Sequence, residues 1–247
     1  MNTTTNNKAI LQHLTALFIT NANMVKYNLK IIFGNKFIYF LLSALAITFF
    51  IIGVNLFNGQ EVEEAGVYST LLLTGALLLF YPAAFGIQSD KDGRTLEIIF
   101  GIPDYRYRVW LMRLLLIYAI TFLLTLLISM LLKYAFLSFN IFSMTVSVFF
   151  PLAFLGLLTF FLSTVLKSGN ATAAVIIIMG VIFLILSDEL DESYWNIFFN
   201  PYGQPSDVSD MVWHSLTNKN RIFLGVGSVV FLLGGMMNLQ KREKLLG

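Results

Sequence analysis

The sequence predicts an all-α integral membrane protein in which six transmembrane helices follow an amphipathic interfacial helix. Three observations predict it. Of 247 residues, 57% are hydrophobic and only 12% charged, far more apolar than a soluble domain. The apolar residues gather into six runs, most of them near the roughly 20 residues that a helix needs to cross the hydrocarbon core. Those runs are continuous, whereas a transmembrane barrel would show ten-residue segments of alternating polarity. No internal repeat, long linker or second soluble domain interrupts them, so residues 1–247 read as one transmembrane domain.

Residues 1–7 are Asn and Thr with a single Met and predict a frayed start. In the region 8–36, Ile10, Leu14, Leu17 and Phe18 form one apolar stripe, and Val25, Leu29, Ile32 and Phe33 form a second opposite Lys26 and Lys30. That pattern fits an amphipathic helix lying on the inner leaflet, with a plain basic juxtamembrane anchor as the alternative. The first 36 residues lack the compact pattern of a signal peptide, so the first span is predicted to be retained.

The six runs are Phe37 to Phe57, Val67 to Ile87, Trp110 to Leu132, Ile141 to Leu166, Ala171 to Leu186 and Ile222 to Leu239, the fifth being short. On the first, Ala44, Thr48, Ile51 and Asn55 share a face; on the second, Thr70, Thr74, Leu77 and Tyr81 do. These mildly polar stripes are candidates either for a translocation path, through Thr48, Asn55, Thr70, Thr74 and Tyr81, or for helix-packing contacts. Pro82 predicts a kink near the end of the second span, as a hinge or as a static bend. Short connections at 133–140 and 167–170 make spans three, four and five antiparallel neighbours.

Charge sets the orientation. With the N-terminus inside, all the Lys and Arg except Lys133, Lys219 and Arg221 fall on the cytoplasmic side, so both termini are predicted to be cytoplasmic. The net charge of +2 then averages a basic inner surface and an acidic outer one, which is no basis for nucleic-acid binding. The outer loop 187–221 holds six acids and an apolar patch, Tyr194, Trp195, Ile197, Phe198 and Phe199, that suits a segment dipping into the outer interface.

A charged island at 88–109 separates spans two and three and carries most of the functional information. Asp92 is placed to cap a two-turn helix from Gly93 to Phe100, ended by Gly101 and Pro103. Leu96, Ile99 and Phe100 share one of its faces, and Arg94 and Glu97 lie on another. A second helix is predicted from Asp104, and its Arg106, Arg108 and Arg113 form a cationic collar able to present charge to a partner.

Several chemistries are missing. Without a P-loop sequence the chain cannot hold ATP in a P-loop of its own. His13 and His214 lie on opposite predicted sides, so no His-based metal cluster or intramembrane Ser-His pair forms; zero cysteines remove disulfides and thiolate sites. Span cores free of ionisable groups, apart from the flanking Arg113, disfavour proton-coupled transport.

Asp90, Asp92 and Gly93, then Thr95-Leu96-Glu97, the apolar Ile98 to Phe100, Pro103 and Arg106 resemble the loop between the second and third spans of type 2 ABC transporter permeases. The amphipathic entry, the six-run layout and Asn200-Pro201 before the last span extend the resemblance over nearly the whole chain. Arg94 departs from it, because the family usually runs from Gly straight to Thr. The resemblance implies a type 2 ABC exporter permease fold in a bacterial cytoplasmic (inner) membrane. It also implies a coupling helix at Gly93 to Phe100, with Arg94, Thr95, Leu96, Glu97, Ile99 and Phe100 as ATPase-coupling residues, and short re-entrant helices in the outer loop. The partners it implies are a cytoplasmic ABC ATPase subunit, which would bind ATP and Mg, and a second permease, identical or related, amid membrane lipids.

Two rival classes stand beside this one. An embedded enzyme would have to use the outer acids Asp188, Glu189, Asp191 and Glu192, which also read as a solvated rim. A membrane scaffold or force-transmitting ABC complex subunit would share the fold without moving a solute.

Overall fold

The computed structural model describes residues 37–57, 63–101, 104–135, 138–190 and 193–240, all of whose regular elements are helices. The proposed amphipathic region 8–36, Pro103 and the basic residues Lys241, Arg242 and Lys244 lie outside the described residues. Helix α1 is Phe37–Phe57, matching its apolar run end to end. Helix α2, Glu64–Asp92, outruns its apolar run at both ends, carrying the charged residues Glu64, Asp90, Lys91 and Asp92 within the helix.

A five-residue helix α3, Leu96–Phe100, follows. The chain then re-enters through a π-helical turn, Arg106–Leu111, that leads into α4, Met112–Ala135. Helix α5, Ile141–Leu166, is capped by Asn140, whose side chain accepts from the Ser143 N–H at 3.0 Å, and ends at Lys167 in the left-handed region with φ 55°. Helix α6 is Gly169–Ile185, α7 is the single turn Ser187–Leu190, and α8 is Asp210–Asn238.

Helices α1, α2, α5, α8 and the π-turn with α4 are long and apolar enough to cross a membrane, so the chain reads as a multi-pass membrane protein. The fifth of the six expected spans differs. At 17 residues, α6 reaches about 25 Å at 1.5 Å per residue, against a hydrocarbon core of about 30 Å. The Lys167–Ser168 turn bounds it on one side and the polar α7 turn on the other.

Helix α5 is the hub of the bundle, packed against α8, α2, α4 and α6. Close approach explains its tight seam with α8: a Cβ at Gly227 or Gly235 would overlap the ring of Phe154 or Phe160 on α5. With α2, the buried core runs through Tyr68, Leu71 and Leu72 to Met144, Val148 and Leu152. Helix α1 is peripheral, touching the bundle along Ala44 and Thr48 while Phe49 and Phe50 stay exposed.

Candidate functional site

The loop joining α2 to α4 begins differently from the sequence expectation. Asp92 does not cap a helix starting at Gly93; it is the last residue of α2, and the short helix starts only at Leu96. A chain reversal fills the gap. Arg94 N–H donates to Lys91 O at 3.0 Å and Thr95 N–H to Asp90 O at 2.9 Å, the bonding pattern of a Schellman motif. In that motif the left-handed position is Arg94, with φ 53°, one residue after Gly93. The residue that departs from the resemblance therefore holds a left-handed backbone, as Asp104 does further along the loop.

Thr95 and Asp90 form a knot below the reversal. The Thr95 hydroxyl donates to Asp90 O at 3.1 Å and stands 3.3 Å from its Oδ1. The other carboxylate oxygen, Oδ2, takes a charged hydrogen bond from Arg113 at 2.6 Å, with both side chains 5% exposed. Arg113 is thus no part of a partner-facing collar. Trp110, Arg113, Leu114 and Ile117 fall at i, i+3, i+4 and i+7, and all four are buried on the inward face of the π-turn and α4. The guanidinium also lies 4.8 Å over the Trp110 ring. Arg106 is half-buried and Arg108 exposed.

An apolar underside seats the loop. Leu96, Ile99 and Phe100 are buried in one cluster with Ile87 of α2, Leu114 of α4, Leu157 and Phe160 of α5 and Met236 of α8. Tyr105, edge-on to Phe100 at 5.1 Å, donates its hydroxyl hydrogen to the Leu239 carbonyl just beyond α8. Gln88 accepts from the Gly169 N–H at 2.6 Å, and Ser163 donates to Ala84 O at 3.1 Å, tying the end of α2 to the α5–α6 turn.

The residues singled out for coupling therefore divide by direction. Leu96, Ile99 and Phe100 point into the protein and anchor the loop, and Thr95 is held on Asp90. Arg94 and Glu97 are exposed, and Ile98 beside them is 71% exposed. Sequence reading passed over Ile98. The available signal was its place between two residues of the inward stripe, which turns an apolar side chain outward.

The candidate path residues are only partly brought together. The hydroxyls of Thr48 and Thr74 meet at 2.5 Å between α1 and α2, and Thr74 bonds back to Thr70 O at 2.8 Å. Thr70 is buried and bonds back to Gly66 O; Asn55 is half-buried. Tyr81 stacks between Phe40 and Phe85, with ring centroids at 4.7 and 5.4 Å.

At the other end of the bundle the 193–209 segment is built of turns in place of the re-entrant helices the resemblance implies, α7 being a single turn. Asn and Pro account for this. The Asn196 and Asn200 side chains accept from the N–H groups of Phe198 and Tyr202, two residues on, fixing local turns that compete with helix. Phe199 and Ile197 are nevertheless buried. Among the described residues no group of His, Cys, Asp and Glu could hold a metal ion. No family model matches the chain, and neither a curated protein nor a solved structure does.

Proposed function

We propose that the chain is the permease subunit of an ATP-driven exporter of the type 2 ABC class, moving an apolar or amphipathic substrate with ATP hydrolysed by a separate subunit. One observation carries the reading. The loop at 93–101 buries Leu96, Ile99 and Phe100 against four helices while Arg94, Glu97 and Ile98 face outward, and the Asp90–Arg113 pair fastens its base to α2 and α4. A partner pressing on the outward face would find no soft joint to absorb the push. It would move both spans as a rigid body.

In this reading the loop lies in the bacterial cytoplasm with both termini, on the basic side of the charge distribution. The ATPase takes Glu97 and Arg94 as polar contacts and Ile98 as an apolar one. A second permease, identical or related, completes the translocating unit. Thr48, Thr74 and their neighbours keep two open roles, lining that unit or holding α1 on α2.

Purification of the tagged chain in mild detergent tests the reading. ATPase activity is expected to co-purify, and Glu97→Ala is expected to lower its stimulation by substrate while the permease stays folded. A folded permease that brings no ATPase with it would contradict the assignment.

A further inference from the structure

On the flank formed by α4, α5 and α8 lies an apolar groove of about 280 Å³, walled by Phe122, Val146, Phe149 and Phe150 and floored by Gly225 and Ser228. It is slightly below the roughly 300–1,000 Å³ of a drug-sized pocket. Two polar features mark it out. Ser228 Oγ is buried with no hydrogen-bond partner, whereas Thr125 of α4 and Thr145 and Thr159 of α5 bond back to the carbonyl four residues earlier. One turn from Gly225, Arg221 stands over Phe150, a groove wall, with its guanidinium carbon 5.5 Å from the ring centroid.

Arg221 donates to Ser147 Oγ at 3.0 Å, and among the described residues no carboxylate lies within ion-pair distance of it. Its place along α8 suits a lipid headgroup. It precedes the apolar stretch 222–240, which contains no charged residue, so it sits where the helix enters hydrocarbon. A cation at that depth with spare donors complements a phosphate, and the groove below it complements an alkyl chain.

We propose that this groove binds an anionic phospholipid from the leaflet at the Arg221 end, with one acyl chain between α5 and α8 and the phosphate on Arg221. Gly225 offers a way to close the groove, because a Cβ built there meets no protein atom within 4 Å.

The test is native mass spectrometry of the full chain, purified and exposed to equimolar phosphatidylglycerol and phosphatidylcholine with identical chains. The wild type should retain phosphatidylglycerol about ten-fold more than phosphatidylcholine, as expected for one charge-assisted contact. Arg221→Lys should keep that preference, and Arg221→Gln should lose it while still retaining lipid. Gly225→Leu should lose retention of both lipids with an unchanged or raised melting temperature. An Arg221→Gln chain that keeps the preference, or a folded Gly225→Leu chain that retains lipid as the wild type does, would overturn the proposal.

Discussion

The two ends of the bundle are fastened to the same pair of helices, α2 and α8, by different chemistry. At the α2–α4 loop the key contact is a buried ion pair, Asp90 with Arg113, backed by the Thr95 hydroxyl and the Tyr105–Leu239 hydrogen bond. At the opposite end the bonds that hold residues 194–201 are neutral. Tyr68 donates to Phe199 O at 3.0 Å, Asn200 to Ala65 O at 2.9 Å, Trp213 to Pro201 O at 2.9 Å, and Asn220 to Tyr194 O and Asn196 O at 3.0 and 2.8 Å. A broken neutral bond strands only an uncharged group, which costs less. Once one member of a buried pair is gone, the charge left behind is stranded, so α2 and α4 are obliged to keep their relative position at the loop.

The largest effect is therefore expected at Arg113. Arg113→Ala should destabilise the chain by about 3–5 kcal/mol, and a double replacement, Asp90→Leu with Arg113→Met, should recover most of that loss. Thermal unfolding in detergent would check it; a double variant no better than the single would mean that the charges themselves are not what matters. Asn220→Ala, at the neutral end, should cost less, about 1–3 kcal/mol, because it leaves the Tyr194 carbonyl without its donor while Asn196 O keeps the Phe199 N–H. If the two ends lost the same amount, the contrast would collapse. The smallest change is expected at Arg94→Gly, which relieves the left-handed backbone but frees the unfolded chain, for a net gain under about 1 kcal/mol.

How much of this was legible beforehand depends on the range over which each signal acts. The apolar runs of α1 and α5 match their helices to the residue, because continuous hydrophobicity is a local property. Helix α8 starts twelve residues before its run, at Asp210: Trp213, Thr217, Asn220 and Leu224 form a buried stripe that only the folded-back 193–209 segment explains. The inward face of the loop was readable from the spacing of Leu96, Ile99 and Phe100. Its tether was not, since Asp90 and Arg113 are 23 residues apart and each reads alone as a solvated charge. Arg113 carried one overlooked hint, its register with Trp110, Leu114 and Ile117. The start of the short helix was misplaced because Gly93 looks like a helix beginning, whereas the chain reverses one residue later at Arg94.

The outward face of the loop bears most directly on the proposed coupling. The decisive comparison sets Ile98→Asp, which places a charge on a side chain already exposed, against the wild type in recovery of ATPase with the tagged, folded permease. Recovery should fall by at least about ten-fold while the melting temperature stays within about 1 °C, as expected for an exposed position whose loss removes only an intermolecular contact. An unchanged yield of ATPase with the Ile98→Asp chain would contradict the claim that this face is the docking surface.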